Sequence, residues 1–363
     1  MEAWAVMRLG VARTLLDDGR LVGGDVRIAD GRVAAVAVQP PGRSGIAAPG
    51  FVDVQVNGFA GVDVATAGPS DLDRLGRALG GHGVTAFAPT LITAPEADLV
   101  RALGVIGAAG ATAGRIRLLG AHLEGPFLSP AWPGAHPPSH LRAPDRALLD
   151  RLLAAGPVAL MTLAPELDGA GALIDALGPR ALIGHTDADA ATCAAAFARG
   201  ARGLTHALNA HRRLLARDPG PAGAALADDD ALVCAIADGV HVAPDALAVL
   251  WRAAGRRLCL VSDAVAVGTG RRERSDGAAR LADGTLAGSV VALDECVRVL
   301  VRAGAPLELA LHAAATAPAQ LAGRGDLGRL AVGAPADVVV LDDELRVVRT
   351  LVGGADVGAR CIA

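Results

Sequence analysis

The feature of this sequence that most constrains its fold is a regular alternation between short apolar runs and longer stretches rich in alanine and leucine. The apolar runs, each of a length suited to a buried strand, are Phe51–Val56, Thr85–Leu91, Arg117–Leu123, Val158–Leu163, Ala181–Gly184, Gly203–Thr205, Leu232–Ala237 and Leu258–Ser262. Stretches typical of helices lie between several of them, among them Leu72–Leu79, Ala190–Arg199 and Pro244–Ala254. Continuous apolar strands that alternate with helices indicate a parallel sheet covered on both faces, and eight such units predict a closed (β/α)8 TIM barrel.

Both ends of the chain carry β-type sequence outside the predicted barrel. Near the start, Val26–Ile28 and Val33–Val38 flank an Asp-Gly pair, which is a strong signal for a tight hairpin. Near the end, the apolar runs Asp337–Leu341 and Leu345–Val352 are joined by an acidic turn. We therefore expect the two termini to pair into one small β-sandwich domain beside the barrel.

The length of the chain agrees with this division. Its 363 residues suit a barrel of roughly 250 residues together with one smaller module. We expect residues 49–329 to form the TIM-barrel catalytic domain, and residues 1–48 and 330–363 to form the small domain.

Composition excludes several classes of function. A net charge of −4 provides no basic surface for nucleic acid, and no apolar run reaches the ~18 residues of a membrane span. The five cysteines include no CxxC pair, which fits a reducing compartment and argues against a cysteine metal site. The first residues also lack the apolar core of a secretory signal. We therefore expect a cytoplasmic protein with no nucleic-acid or membrane partner.

The chain contains neither lysine nor tyrosine. A Schiff-base lysine, a phosphate-loop lysine and a carboxylated lysine that bridges two metals are therefore excluded. Arginine and histidine are the only side-chain cations available to bind an anion.

Polar residues end several of the predicted strands. Glu124 ends the third, His185 the fifth and His206 the sixth, while Asp263 follows the eighth. TIM-barrel enzymes place their chemistry at these carboxyl ends, where side chains from different strands converge. One carboxylate and two imidazoles with an open position form the ligand pattern of a catalytic zinc site. Asp263 could then act as general base on a water molecule and as general acid on a leaving nitrogen.

Other polar residues near strand ends have less definite roles. A single histidine at a strand end is more often structural than a metal ligand, but four suitable residue types at four different strand ends favour a joint site. His122 lies on the same face of its strand as Glu124, and we expect it to support the ligands from behind rather than bind the metal. His82 and His312 are interpreted as structural, and His140 as a surface residue.

Several segments together resemble the amidohydrolase superfamily, and within it the N-acetylglucosamine-6-phosphate deacetylases. The resemblance covers essentially the whole chain. The matching segments are Pro49–Gly58, Ala88–Thr93, His122–Phe127, Gly134–His136, Gly184–Thr186, Thr205–Ala210, Ala237–His241, Val261–Ala264, Leu286–Ser289 and Gly328–Asp337. The combination of His-Leu-Glu-Gly-Pro-Phe with Asp-Gly-Val-His and Leu-Ala-Gly-Ser is far more specific than a lone glycine-rich motif.

The resemblance implies roles that agree with the site predicted from the strand ends. Glu124, His185 and His206 match the metal ligands of the family, and Asp263 matches its catalytic aspartate. His136 matches the histidine that polarises the acetyl oxygen and steadies the oxyanion.

The resemblance also implies a substrate site and a partner. The residues that match sugar contacts are Ala135, His136, Asn209 and Ala210, and those that line the same pocket are Leu286, Ala287, Gly288 and Ser289. His241 and Arg217 match phosphate binders, a task for which arginine offers a planar fork of donors. In the family this arginine reaches the site of the neighbouring subunit, so the resemblance implies a homodimer.

Two departures from familiar patterns refine the prediction. Many barrel amidohydrolases carry His-x-His after the first strand to hold a second metal, whereas this chain has Gln55 and Asn57, whose neutral amides are poor metal ligands. We therefore expect both to support the site from behind, and one divalent metal per subunit. Zinc is the default for this ligand set, although iron, cobalt or manganese would also fit. Position 211 is histidine where methionine or another apolar residue is expected, and this side chain either reshapes the sugar pocket or only packs beside it.

These observations predict a metal-dependent deacetylase that converts N-acetylglucosamine 6-phosphate into glucosamine 6-phosphate and acetate in amino-sugar catabolism. One alternative is an amidohydrolase for a related N-acetyl amino sugar, such as the 6-phosphate of N-acetylgalactosamine. A catalytically inactive barrel that serves as a binding protein is a second alternative, but it has no physical need for the ligand set and Asp263.

Overall fold

The chain folds around a barrel of parallel strands in a computed structural model that describes residues 6–111, 116–267, 273–275 and 277–357. The barrel strands are Phe51–Val56, Val84–Ile92, Ala121–Glu124, Val158–Leu163, Ala181–Ile183, Gly203–Leu204, Leu232–Ile236 and Leu258–Val261. Each pairs in parallel with the next. A parallel bridge between Val56 and Ala264 joins the first strand to the segment that follows the eighth. The prediction of a (β/α)8 barrel is confirmed.

The predicted third strand is divided in the structure. Arg117–Leu118 pairs with the second barrel strand, and the ladder resumes at Ala121–Glu124. Gly120 lies between them with φ +101°, a conformation that strongly favours glycine. The interruption therefore has a local backbone cause.

Helices alternate with the barrel strands and cover their outer face. Their bounds are Pro69–Gly80, Glu96–Ala111, Arg146–Ala155, Ala170–Leu177, Ala190–Ala198, Gly220–Ala227, Pro244–Ala254, Leu293–Arg302 and Leu307–Leu321. Local sequence explains where several begin: Pro69 and Pro244 occupy first helical positions, and the Asp145 carboxylate accepts the Ala147 and Leu148 amides as an N-cap. Within the described ranges, no helix is long and apolar enough to cross a bilayer.

Two buried apolar layers follow from the alternation of side chains along the strands. One set, which includes Val54, Leu160 and Cys234, forms a buried cluster together with Ala317 and Leu321 of the helix Leu307–Leu321. A larger cluster joins the other faces of the strands to the surrounding helices. The barrel interior is therefore a packed core, as expected for this architecture.

The small domain is built from both ends of the chain. Its larger sheet runs in the order Ala355–Asp356, Val347–Val352, Val338–Leu341, Ser44–Pro49, Val11–Leu15, Leu21–Gly23. Its smaller sheet runs in the order Met7–Arg8, Asp25–Ala29, Arg32–Val38 and contains the predicted hairpin. Val26 and Val33 of the small sheet share a buried cluster with Ala47 and Val338 of the large one, so the predicted sandwich of the two termini is confirmed.

The domain bounds given above remain a prediction, and their outermost residues, 1–5 and 358–363, lie outside the described residues. The sequence also predicts a long insertion, residues 268–288, after the eighth barrel strand, and the structure describes it in part, without residues 268–272 and 276. Its described strands are Glu273–Ser275, Ala278–Arg280 and Leu286–Ser289, which pair antiparallel. A bridge between Ala264 and Ser289 holds the last of them beside the end of the eighth barrel strand.

Candidate active site

A cavity of about 430 Å³ opens among the loops that follow the barrel strands. It is lined by Asn57, Ile92, Glu124, Ala131–His136, His185, His206, Asn209, Ala210, Ile236, His241, Asp263, Val265 and Thr285–Gly288. The loop Phe127–Pro144, whose richness in proline and histidine makes it a candidate active-site loop from the sequence, supplies part of one wall. The insertion 268–288 supplies part of another. Most of the site residues predicted from the sequence meet in this one cavity.

The backbone turns in the same way after three of the strands. His185, His206 and Asp263 each lie two residues beyond a strand, with φ values of +48°, +27° and +47°. This left-handed conformation is uncommon for residues other than glycine, and each occurrence costs on the order of 1–3 kcal/mol. The surrounding structure must hold these three turns, which aim their side chains at the mouth of the barrel.

Glu124, His185 and His206 form a compact group of ligand atoms. Glu124 Oε1 lies 2.9 Å from His206 Nε2 and 3.2 Å from His185 Nε2, and the two nitrogens are 3.2 Å apart. All three side chains are buried, and the ligand atoms lie within 4.8 Å of one another. One carboxylate oxygen and two imidazole nitrogens around one point are a donor set that suits a divalent transition metal.

The hydrogen bonds behind the histidines also fit a metal. His185 Nδ1 donates to the Trp132 carbonyl at 2.9 Å, which leaves the Nε2 lone pair directed at the cluster. His206 Nδ1 has no hydrogen-bond partner among the described residues. The residues present therefore fit a single metal held by Glu124, His185 and His206.

The charges in the cluster are strongly coupled. Burial disfavours ionisation of Glu124, but hydrogen bonds with the surrounding histidines hold the pKa of this carboxyl well below its usual 4.5. Burial also opposes the charged form of His206, yet the carboxylate raises its pKa to about 9, whereas burial lowers the pKa of His185 to about 4. The metal-free cluster thus holds a proton at a ligand nitrogen, which a bound metal must displace.

Asp263 and the first barrel strand are joined directly. Asn57 Nδ2 donates to Asp263 Oδ1 at 2.7 Å, and the Asn57 amide donates to the Ala264 carbonyl at 2.8 Å. Gln55 Nε2 donates to Glu124 Oε1 at 3.0 Å. The two neutral amides of the first strand therefore orient one carboxylate each.

His136 has a defined tautomer. Its Nδ1 accepts the Thr93 backbone amide at 3.2 Å, so the proton of the neutral ring lies on Nε2. That nitrogen lies 3.7 Å from Glu124 Oε2 and faces the cluster. His136 is therefore placed to donate a hydrogen bond to an oxygen bound beside the metal site.

A second polar pair lies at another part of the cavity wall. His241 Nδ1 lies 2.7 Å from Asp238 Oδ2, and Asp238 Oδ1 accepts the backbone amides of Val240 and His241. Burial opposes the charge of Asp238, but the interactions with His241 and the hydrogen bonds from the Val240 and His241 amides together outweigh burial and lower the pKa of this carboxyl. His241 therefore donates Nδ1–H to Asp238, and its Nε2 is the ring nitrogen left for a ligand.

Four predicted site residues lie away from the cavity lining, and one of them, Gln55, has been described above with Glu124. Ser289 is fully buried behind Asp263, where its hydroxyl donates to the Ser262 carbonyl and its amide donates to the Asp263 carbonyl at 2.9 Å. His122 donates from Nδ1 to the Val54 carbonyl at 2.9 Å and accepts from the Thr162 hydroxyl at 2.8 Å. Burial lowers the pKa of His122, so this ring is neutral.

Arg217 is the fourth of these residues. Its side chain is exposed in the single chain, on the loop that follows Ala210. Leu214 and Leu215 on the same loop are 46% and 58% exposed.

Some cavity residues were missed by sequence reasoning. Val265 and Thr285 line the cavity, yet as isolated residues in loops they carry no periodic or motif signal. Trp132 and Pro133 also line it, and they were covered only by the interpretation of the loop Phe127–Pro144 as an active-site loop. Asp238 was quoted only as part of a motif. An aspartate three residues before a candidate phosphate-binding histidine could have been recognised as its hydrogen-bond partner.

Comparisons with known proteins agree with this geometry. The Amidohydrolase family matches residues 46–357. The N-acetylglucosamine-6-phosphate deacetylase of Rattus norvegicus is 40% identical over 337 residues, covering 85% of this chain and 82% of that protein. The N-acetylgalactosamine-6-phosphate deacetylase of Escherichia coli O157:H7 is 37% identical over 373 residues, covering 95% of this chain and 98% of that protein.

Solved structures give the same result. A variant of N-acetyl-D-glucosamine-6-phosphate deacetylase from Mycobacterium smegmatis, in complex with N-acetyl-D-glucosamine 6-phosphate, superposes with a TM-score of 0.90 at 34% identity. The superposition covers 98% of this chain and 100% of the M. smegmatis chain. The predicted family and the predicted class of metal-dependent amide hydrolase are confirmed. The chain belongs to the amidohydrolase family.

Proposed function

We propose that this protein hydrolyses the acetamide of N-acetylglucosamine 6-phosphate and releases glucosamine 6-phosphate and acetate in amino-sugar catabolism. The observation that carries the proposal is that one cavity brings the cluster Glu124, His185 and His206 together with Asp263 and His136. These groups offer a metal site, a base and an oxyanion donor, which are the components that amide hydrolysis needs. The rat relative and the M. smegmatis complex support the choice of substrate.

The mechanism follows from the hydrogen bonds of the chain's own residues. Asp263, oriented by Asn57, takes a proton from the attacking water and later returns it to the departing sugar nitrogen. His136 donates Nε2–H to the acetyl oxygen as negative charge develops there. Such groups act best when they are fixed in advance. Asn57 holds the base Asp263, and the Thr93 amide holds the donor His136.

We infer that the metal is a single zinc ion, held by Glu124, His185 and His206. When bound, such an ion polarises the amide carbonyl and makes water more acidic. The two-nitrogen, one-oxygen donor set supports zinc, and iron, cobalt or manganese would occupy the same ligands. The amides of Gln55 and Asn57 favour one metal over two because neutral amides bind divalent metals weakly.

The phosphate of the substrate would be bound by His241 of the same chain and Arg217 of a second copy. His241 lines the cavity and is held by Asp238, whereas Arg217 is exposed on a loop outside the cavity lining. A homodimer in which Arg217 reaches the neighbouring cavity would supply the second cation, and the exposed Leu214 and Leu215 suit burial in such an interface. Asn209, Ala210 and Ala135 would contact the sugar.

We further propose that the protein acts in the cytoplasm. Four of its cysteines, Cys193, Cys234, Cys259 and Cys296, are buried and unpaired in the described part of the chain. Free thiols are typical of a reducing compartment.

The related substrate N-acetylgalactosamine 6-phosphate is the alternative. The E. coli relative named for it is 37% identical and covers 95% of this chain, more than the rat enzyme covers. The two sugars differ only in the orientation of the 4-hydroxyl. A comparison of kcat/KM for the two phosphorylated sugars, with metal-loaded protein, separates these functions. A preference of tenfold or more for N-acetylglucosamine 6-phosphate supports the proposal, and an equal preference for N-acetylgalactosamine 6-phosphate supports the alternative instead.

A further inference from the structure

The turn that follows the ligand His206 is unusually constrained. Within five residues, His206, Leu208 and Ala210 all have positive φ values, of +27°, +72° and +48°. None of these residues is glycine, so other contacts must hold this backbone in a conformation that it would otherwise leave. Asn209 and Ala210, at the end of the turn, line the cavity.

His211 supplies these contacts. Its side chain is only 4% exposed, and it makes two hydrogen bonds to the backbone on either side of it. The Leu208 amide donates to Nε2 at 2.8 Å, and Nδ1 donates to the Arg212 carbonyl at 2.8 Å. Because an amide can only donate and a carbonyl can only accept, both bonds require the neutral ring with its proton on Nδ1.

The backbone at His211 and Arg212 is also hydrogen-bonded to the loop that carries His185, the other histidine ligand. His211 forms a parallel bridge with Thr186, and the Arg212 amide donates to the Thr186 carbonyl at 3.0 Å. Thr186 directly follows His185. The imidazole of His211 therefore lies behind two adjacent loops of the active site without itself lining the cavity.

The backbone next to His206 is held by a separate hydrogen bond. The amide of the next residue, Ala207, donates to the Cys234 carbonyl of the seventh barrel strand at 2.7 Å. This bond ties the start of the turn to the barrel independently of position 211. Beyond that point the Asn209 amide donates to the His206 carbonyl at 3.0 Å, and the Leu208 amide donates to His211. His211 therefore supports the half of the turn that contains Asn209 and Ala210 together with this one backbone bond.

We propose that His211 is a positioning residue that holds Asn209 and Ala210 against the substrate and thereby sets substrate affinity. Methionine, the residue expected at this position from the family resemblance, can fill a similar volume but can neither accept the Leu208 amide nor donate to the Arg212 carbonyl. In this chain, two hydrogen bonds of the His211 ring support the turn.

The substitutions can separate the two bonds. His211→Met removes both, His211→Gln retains an acceptor near the position of Nε2, and His211→Asn retains a donor near Nδ1. His312→Met is a matched control, because His312 is 5% exposed and its ring also makes two hydrogen bonds, to Arg256, but outside the cavity.

The kinetic test rests on the proposed function. His211→Met removes both bonds, but only the bond from the Leu208 amide lies inside the turn. We therefore expect this variant to raise KM about tenfold, the effect of losing that one bond, with kcat and metal content within about threefold of the parent. His211→Gln should have a KM close to that of the parent, because it keeps an acceptor for the Leu208 amide, which lies inside the turn. His211→Asn keeps only the donor to the Arg212 carbonyl, so its KM should stay raised. An unchanged KM in His211→Met, or an equal rise in His312→Met, overturns the proposal.

A second measurement does not depend on the substrate. Amide hydrogen exchange of residues 206–212 should be faster in His211→Met and His211→Asn than in the parent, and unchanged in His312→Met. Equal protection in all variants overturns the role of His211. Absence of turnover in the parent, together with faster exchange in His211→Met, would refute the proposed substrate and leave the role of His211 standing.

Discussion

Asn57 Nδ2 donates to Asp263 Oδ1 at 2.7 Å, which joins the end of the first barrel strand to the base proposed for catalysis beyond the eighth. Asn57 Oδ1 itself has no hydrogen-bond partner among the described residues, so the amide makes its side-chain bond as a donor. The Asn57 side chain therefore binds Oδ1 of Asp263 and does not donate to Oδ2.

Asn57→Ala should therefore lower kcat by about 10- to 100-fold, because the charged acceptor loses a hydrogen bond of roughly 1.5–3 kcal/mol that fixes its direction. We expect KM and metal content to change little. Steady-state kinetics on the metal-loaded variant measure this effect. The other asparagine of the chain gives the matched control: Asn209→Ala should raise KM instead, and a common effect of both substitutions would contradict the assignment.

Asp238 offers a test of the phosphate site. Asp238→Asn replaces the acceptor of His241 Nδ1–H with an amide that can present a donor, so His241 would turn or change tautomer. KM for the phosphorylated sugar should rise about tenfold, with little change for the unphosphorylated sugar. A similar loss with both substrates would show that Asp238 supports the fold of the loop and not the phosphate contact.

The metal site can be separated from its surroundings by two substitutions. Glu124→Gln removes the carboxylate of the cluster, and we expect bound metal to fall below about one tenth of an ion per chain, with activity reduced at least 100-fold. His122→Gln should retain the metal, because the ring of His122 bonds Val54 and Thr162 instead. Elemental analysis of the purified proteins decides this. Loss of metal in His122→Gln would make His122 a ligand.

Asp53 predicts a pH dependence of stability. Its side chain is fully buried, and burial raises its pKa from 3.8 to about 7. Between these values the folded state holds a proton that the unfolded state has lost, so this group makes the free energy of unfolding fall as pH rises from about 4 to 7. The contribution is on the order of 4 kcal/mol at most.

Asp53→Asn should remove this slope, since the amide resembles the protonated acid and keeps an acceptor for the Ser262 and Gln55 amides. Denaturant unfolding at pH 4.5 and 7.5 gives the difference, with the exposed Asp229→Asn as control. The same slope in Asp53→Asn and in the parent would exclude Asp53 as its source.

The sequence allowed much of the barrel to be predicted, for a physical reason. Strands covered on both faces are continuous apolar runs, so a polar residue at a run's end, such as Glu124 or His185, is conspicuous. The division of the third strand at Gly120 was missed because a positive φ leaves no apolar pattern.

The parts of the site that could not be predicted depend on contacts distant in sequence. The Trp132 carbonyl that orients His185 lies in a loop, and the support of Asn209 by His211 depends on how one turn folds back. Ser289 was assigned to the pocket by resemblance, whereas the pairing of its strand places it behind Asp263. The role proposed for Arg217 requires a second copy of the chain, which no pattern within one chain describes.

The most direct test of the account is release of free amine from N-acetylglucosamine 6-phosphate by the metal-supplemented protein, compared with N-acetylglucosamine and with Asp263→Asn. The account predicts turnover of the phosphorylated sugar, at least about 100-fold weaker turnover of the unphosphorylated one, and loss of activity in Asp263→Asn with the metal retained. Full activity in Asp263→Asn, or no release of amine from the phosphorylated sugar by the metal-loaded parent, would contradict it.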